Sequence, residues 1–143
     1  MTVRLQENVY EAIQSHGEED YPYECCGFLI GVSQDGKRIV REIRAQRNER
    51  ENSQETRYFI SPQEFQAAER YAREQHCEML GIYHSHPDHP ARPSQYDLEH
   101  AWPWYAYLIL SVSGGTADEL RAWQLRDDRS AFEAVDMEIV SQQ

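Results

Sequence analysis

Cysteine is scarce in this chain, and its spacing suits neither staples nor redox chemistry. The 143 residues include three, Cys25, Cys26 and Cys77, with no Cys-x-x-Cys pair. No disulfide framework is predicted, and a reduced compartment is. Adjacent Cys25 and Cys26 would alternate faces in a strand, with one or both buried as small apolar side chains. Basic residues are also in deficit: 14 Lys and Arg against 25 Asp and Glu leave a net charge of -11. That balance excludes a basic nucleic-acid-binding face, and it would suit a saline cytoplasm where self-repulsion is screened. The N-terminus, Met1-Thr2-Val3-Arg4-Leu5-Gln6, has no apolar signal core, and no run approaches membrane-spanning length. A cytoplasmic protein without a membrane partner is expected. No linker, repeat or low-complexity stretch interrupts the chain, and its length predicts one domain over 1–143, large enough to bury about two thirds of its surface. Three enzyme signatures are missing as well: the Gly-x-Ser-x-Gly elbow of serine hydrolases, His-Glu-x-x-His of zincins, and Pro-Cys-x-x-Cys of zinc nucleobase deaminases.

What is present is concentrated in residues 79 to 97. Met79-Leu80-Gly81-Ile82-Tyr83-His84 is apolar and short enough to be a buried strand. If the strand persists, His84 and His86 leave the same face and Ser85 the opposite one. Pro87, Pro90 and Pro93 then turn the chain away from the strand end. Ser94 suits a helix N-cap, and Asp97, three residues on, takes the place of a capping box. A cap accounts for Ser94 and Asp97 but not for two histidines just upstream. Histidine nitrogen and aspartate oxygen are ordinary zinc donors, and three protein ligands with an open fourth position mark catalytic zinc.

These residues resemble a family. His84-Ser85-His86, a seven-residue spacer that begins with Pro87, and Ser94-Gln95-Tyr96-Asp97 are similar to the JAMM (MPN-plus) metalloprotease signature. The family's upstream glutamate matches Glu24 in Tyr21-Pro22-Tyr23-Glu24-Cys25-Cys26-Gly27. A further similarity runs from Asn48 through Arg57-Tyr58-Phe59-Ile60-Ser61-Pro62, read as the family's Asn, an aromatic strand and a helix opened by Pro. Together the matches span residues 5 to about 125. The resemblance implies zinc held by His84, His86 and Asp97, a serine at the oxyanion in Ser94, and a general base in Glu24.

Each implied role has a chemical reason. Zinc brings the pKa of water from ~15.7 to ~7 and can polarise a carbonyl. A carboxylate near the metal can take the water's proton and pass it to the leaving amine, and a hydroxyl beside the metal can donate to a tetrahedral oxyanion. Without the resemblance, Glu24 reads as a solvated carboxylate at a strand entrance. His89 and His100 read as lone surface histidines, His16 and His76 have no partners in sequence, and Ser85 reads as structural.

The remaining pattern predicts an α/β fold. Val9 and Ile13 mark an amphipathic helix over 6–16. Residues 25–33 and 38–45 flank Asp35-Gly36, a hairpin signal, and 46–56 form a charged loop. Ser61, Pro62 and Glu64 open a helix through about Gln75. A short helix over 94–101 precedes a central strand at 106–112, and strands follow near 119–125 and 131–139. The resemblance implies one mixed sheet flanked by helices, similar to cytidine deaminases.

It also implies hydrolysis of amide or isopeptide bonds after the Gly-Gly end of ubiquitin-like proteins. The short connections suit the prokaryotic branch, with a ubiquitin-like sulfur-carrier protein or its conjugates as partner, since a side-chain-free tail fits a narrow channel. Two alternatives stay open: a non-catalytic MPN-type scaffold that binds partners, and a zinc hydrolase of small-molecule amides.

Overall fold

The computed structural model describes residues 1–48, 58 and 60–141. Along the chain run β1 (Thr2–Gln6), α1 (Glu7–Asp20), β2 (Cys26–Gln34), β3 (Lys37–Gln46), α2 (Pro62–Glu74), β4 (Glu78–Pro87), α3 (Gln95–His100), β5 (Ala106–Ser113), β6 (Thr116–Leu125) and β7 (Phe132–Val140). No helix among the described residues is long and apolar enough to cross a membrane.

The sheet is mixed, as expected, but it closes on itself in the order β1-β3-β2-β4-β5-β6-β7. Closure depends on β1, which the hydrophobic pattern does not single out. Thr2-Val3-Arg4-Leu5-Gln6 alternates polar and apolar, with Val3 and Leu5 buried, and pairs in parallel with both β3 and β7. Five residues are too few to stand out, yet they remove both sheet edges. Tyr58 and Ile60 join no strand, contrary to the aromatic strand expected there; Arg57 and Phe59 lie outside the described residues. The closed sheet has no free edge for such a strand. Of the charged loop, Gln46 ends β3, Arg47 and Asn48 are irregular, and 49–56 lie outside the described residues.

Local chemistry explains most elements. Asp35 and Gly36 both have positive φ, 52° and 75°, the pairing a tight hairpin turn between β2 and β3 requires. Ser61 accepts from the Glu64 N–H while Glu64 reaches back to the Ser61 N–H, a capping box at α2. α1 runs to Asp20, past the expected end at 16, because Gly17 packs on the sheet: a Cβ there would stand 2.5 Å from Leu110 Cδ2 and 3.1 Å from Val112 Cγ2. Glycine is a poor helix former, and tertiary packing overrides that here.

Two apolar clusters result. Val9 and Ile13 of α1 join one with Cys25, Leu29, Leu80, Tyr83 and Leu108. Ala68 and Ala72 of α2 join the other with Cys26, Phe28, Ile30 and Ile82. Cys25 and Cys26 thus divide between the clusters, fully buried and free, as their adjacency predicted.

Candidate functional site

The site forms where the ends of β4 and β2 meet the start of α3. β4 runs through Pro87, so His84 and His86 do share a face. They are 1 % and 7 % exposed. Ser85 points the other way: its hydroxyl accepts from the Cys25 N–H at 2.8 Å, and its own N–H donates to the Cys25 carbonyl at 3.1 Å. Its role is structural, as expected. Those bonds and the antiparallel pair Cys26↔His84 bring the head of β2, and with it Glu24, beside the histidines.

α3 delivers Asp97. The Ser94 hydroxyl accepts from the Asp97 N–H at 3.1 Å, and the Asp97 carboxylate accepts from the Ser94 N–H at 2.8 Å. The capping box therefore exists, and it leaves Asp97 free to do more. Its oxygens stand 3.3 Å from His84 Nε2 and 3.2 Å from His86 Nε2, and the two Nε2 atoms are 3.1 Å apart. The Ser94 hydroxyl uses a lone pair for the cap and keeps its proton to donate elsewhere.

This convergence fits a metal better than a hydrogen-bond network. The His86 Nδ1–H donates to the Pro90 carbonyl at 3.0 Å, which leaves Nε2 as a bare lone pair in the neutral ring. Three electron-rich atoms then face one point. Donors about 2.0–2.1 Å from a tetrahedral zinc lie roughly 3.3 Å from one another, close to the separations found. Pro90, in the loop that turns the chain, thereby orients the His86 ring. On the other ring, buried His84 Nδ1 has no partner among the described residues. Tyr58 stacks on that ring, centroids 4.5 Å apart and planes 25° apart. Nothing in sequence spacing points to Tyr58 as a wall of the site.

Glu24 stands one step further out. It is 4 % exposed, and one of its oxygens lies within 4.8 Å of a nitrogen of each histidine, so it too could reach a metal. Asp97 comes to 3.3 and 3.2 Å of the two rings, which makes it the better placed third donor. The solvated alternative for Glu24 is overturned: burial, and then the negative charge of Asp97, pushes its carboxyl up to about 9. Burial would raise Asp97 as well, but the His84 and His86 rings beside it and the Ser94 N–H hold its carboxyl far below the usual carboxylate range. Burial lowers His84 despite Asp97, keeping the ring neutral and ready to ligate. Two neighbouring carboxyls that feel one another's charge are thus driven in opposite directions, the pattern of an acid/base beside a fixed anion.

Asn48 donates to the Glu24 carbonyl at 3.1 Å and steadies that residue. His16, which has no partner in sequence, has two in space: the Tyr83 hydroxyl at 2.7 Å from Nδ1 and Asp20 at 3.3 Å from Nε2. His89 and His100 stay outside the cluster. His100 Nδ1 bonds to the Tyr96 carbonyl at 2.8 Å, and its ring stacks on Tyr96.

Comparison with known proteins agrees. Residues 6–126 match Prok-JAB, the prokaryotic homologues of the JAB domain. A desampylase of Haloferax volcanii is 33% identical over 130 residues, covering 82% of this chain and 90% of that protein. A desampylase of Pyrococcus furiosus is 33% identical over 112 residues, 77% and 72% of the two. The crystal structure of a JAB1/MPN domain protein from Archaeoglobus fulgidus superposes with a TM-score of 0.62 at 18% identity over 96% of this chain and 98% of that one, which shows the shared fold. With its fold, its donor cluster and its sequence all in accord, the chain belongs to the prokaryotic JAB family, within the JAMM/MPN group.

Proposed function

We propose that the protein is a zinc-dependent JAMM-type hydrolase that cuts amide or isopeptide bonds after the Gly-Gly end of ubiquitin-like modifiers, sulfur-carrier proteins among them. The convergence of His84 Nε2, His86 Nε2 and the Asp97 carboxylate within 3.1–3.3 Å of one another carries this reading. The desampylase relatives support the substrate class.

His84, His86 and Asp97 would hold the ion; when bound, it supplies Lewis acidity, which acidifies water and polarises the scissile carbonyl. Pro90 and Tyr58 fix the planes of the two rings, so the ligands need no reorganisation. Glu24 takes one proton from the attacking water and hands it to the departing amine. Its burial suits both proton transfers, because a cation nearby favours the carboxylate before attack and the apolar surroundings favour the acid once a proton is taken. The Ser94 Oγ–H donates to the oxyanion that forms as the carbonyl becomes tetrahedral. Glycine residues on the acyl side let the substrate backbone approach this buried cluster.

The test is cleavage of a ubiquitin-like protein joined through its terminal glycine to a peptide lysine, with and without chelator. Zinc-dependent release of the intact modifier is expected. A protein that holds zinc yet cleaves neither this conjugate nor a small-molecule amide would be a partner-binding scaffold.

A further inference from the structure

A cavity of about 520 Å³ opens beside Glu24, between the end of α1 and the end of β3. Its α1 wall carries Glu19 and Asp20, and Arg47, just past the end of β3, is the only Lys or Arg among the described lining residues. Glu24 is part of the lining, although the residue is only 4 % exposed, and its carboxyl accepts no hydrogen bond from any described residue. A buried carboxyl that lines a cavity and has no hydrogen-bond partner among the described residues is placed to take one from a bound molecule.

The wall breaks a local rule. The last turn of α1 holds no basic residue, so Glu18, Glu19 and Asp20 crowd the negative end of the helix dipole. Glu18 has a structural return, accepting from the Ala117 N–H at 2.8 Å. Glu19 makes no hydrogen bond or ion pair among the described residues. Asp20 is held in place: burial keeps the Tyr83 hydroxyl protonated, so it donates to His16 Nδ1, and His16 Nε2–H faces Asp20. For Glu19 the local disadvantage has no structural return among the described residues, as is expected at a functional surface.

The reaction proposed above assigns this cavity a role, and the inference rests on that reading. Hydrolysis breaks the C–N bond and forms a C–O bond from water; one water proton travels through Glu24 to the departing nitrogen, the other reaches the free amine as the new carboxylic acid ionises, and the products are a carboxylate and an ammonium. The departing nitrogen must come within hydrogen-bond reach of Glu24, and the cavity that Glu24 lines offers space beside it for what that nitrogen carries. We propose that this cavity is the leaving-group subsite, and that Glu19 and Asp20 select modified lysines flanked by further basic residues.

The experiment uses the zinc-loaded protein and two conjugates of the same ubiquitin-like protein, each joined through its C-terminal glycine to the lysine of a short fluorescent peptide. One peptide has lysines beside the modified residue, the other glutamates. At low salt kcat/KM favours the basic peptide by roughly fivefold, the scale of two partly exposed charge contacts, and the ratio falls toward unity in about 0.5 M salt. Combining Glu19→Gln with Asp20→Asn collapses the ratio even where both rates change. Equal rates on the two peptides in the wild type would overturn the subsite while leaving the hydrolase intact. A uniform loss with an unchanged ratio in the double variant would make Glu19 and Asp20 structural and overturn it too. Failure to cleave either peptide would sink the hydrolase reading, and this inference with it.

Discussion

Glu24→Gln separates chemistry from structure more sharply than any other change at the site. The native carboxyl is pushed to about 9 against 4.5 for an ordinary glutamate. In metal-free protein the folded state therefore binds a proton that the unfolded chain has lost between those values, and stability falls as pH rises through that window. At pH 7 the loss relative to pH 4.5 is at most about 3 kcal/mol from this group, at 1.36 kcal/mol per pH unit. For a chain of this size that is on the order of 10 °C in Tm. Glutamine copies the neutral acid and does not titrate, so the metal-free variant should match the wild type near pH 5 and exceed it increasingly toward pH 8. Zinc, by favouring the carboxylate, should flatten the wild-type slope. Activity should move the other way: the variant loses the proton carrier, a loss of about a hundred- to ten-thousandfold in kcat with zinc retained. Thermal melts across pH, with and without zinc, and cleavage of an extended ubiquitin-like substrate make the assay. Parallel melting curves for the two proteins would show that Glu24 is not a buried acid, and near-wild-type cleavage by the variant would show that it does not carry the proton.

The other predictions concern neighbouring residues. Wild-type protein should carry about one zinc per chain by elemental analysis and His86→Ala should lose it; equal retention would remove His86 from the ligand set. Ser94→Ala should keep zinc but slow turnover on the order of a hundredfold if the hydroxyl serves the oxyanion, with a cap loss of about 1 kcal/mol by denaturant titration; loss of zinc along with activity would mean that the cap orienting Asp97 is the larger role. Gly27→Ala should cost about 1–3 kcal/mol, because a Cβ there would run into the ring of fully buried Tyr83; an unchanged unfolding midpoint would show that Tyr83 can move aside.

The chain itself determined what local patterns control. Asp35-Gly36 specified the hairpin, Ser61 and Pro62 opened α2, and Ser94 with Asp97 opened α3, because caps and turns depend on residues a few positions apart. Alternation along β4 put His84 and His86 on one face and Ser85 on the other, so the donor set was legible before its geometry. Glu24 was legible only through its family likeness; a carboxylate in sequence carries no sign of burial, and its shift comes from walls contributed by distant segments. Pairing between β2 and β4, 60 residues apart, decided that Glu24 meets the histidines. Tertiary structure likewise decided the closed sheet, since β1 gains its place from two long-range parallel pairings rather than from its five residues, and it alone placed Tyr58 on His84 and His16 between Tyr83 and Asp20. Periodicity and capping act over one or two turns of chain; burial, electrostatics and ring stacking act over distances that only the folded backbone defines.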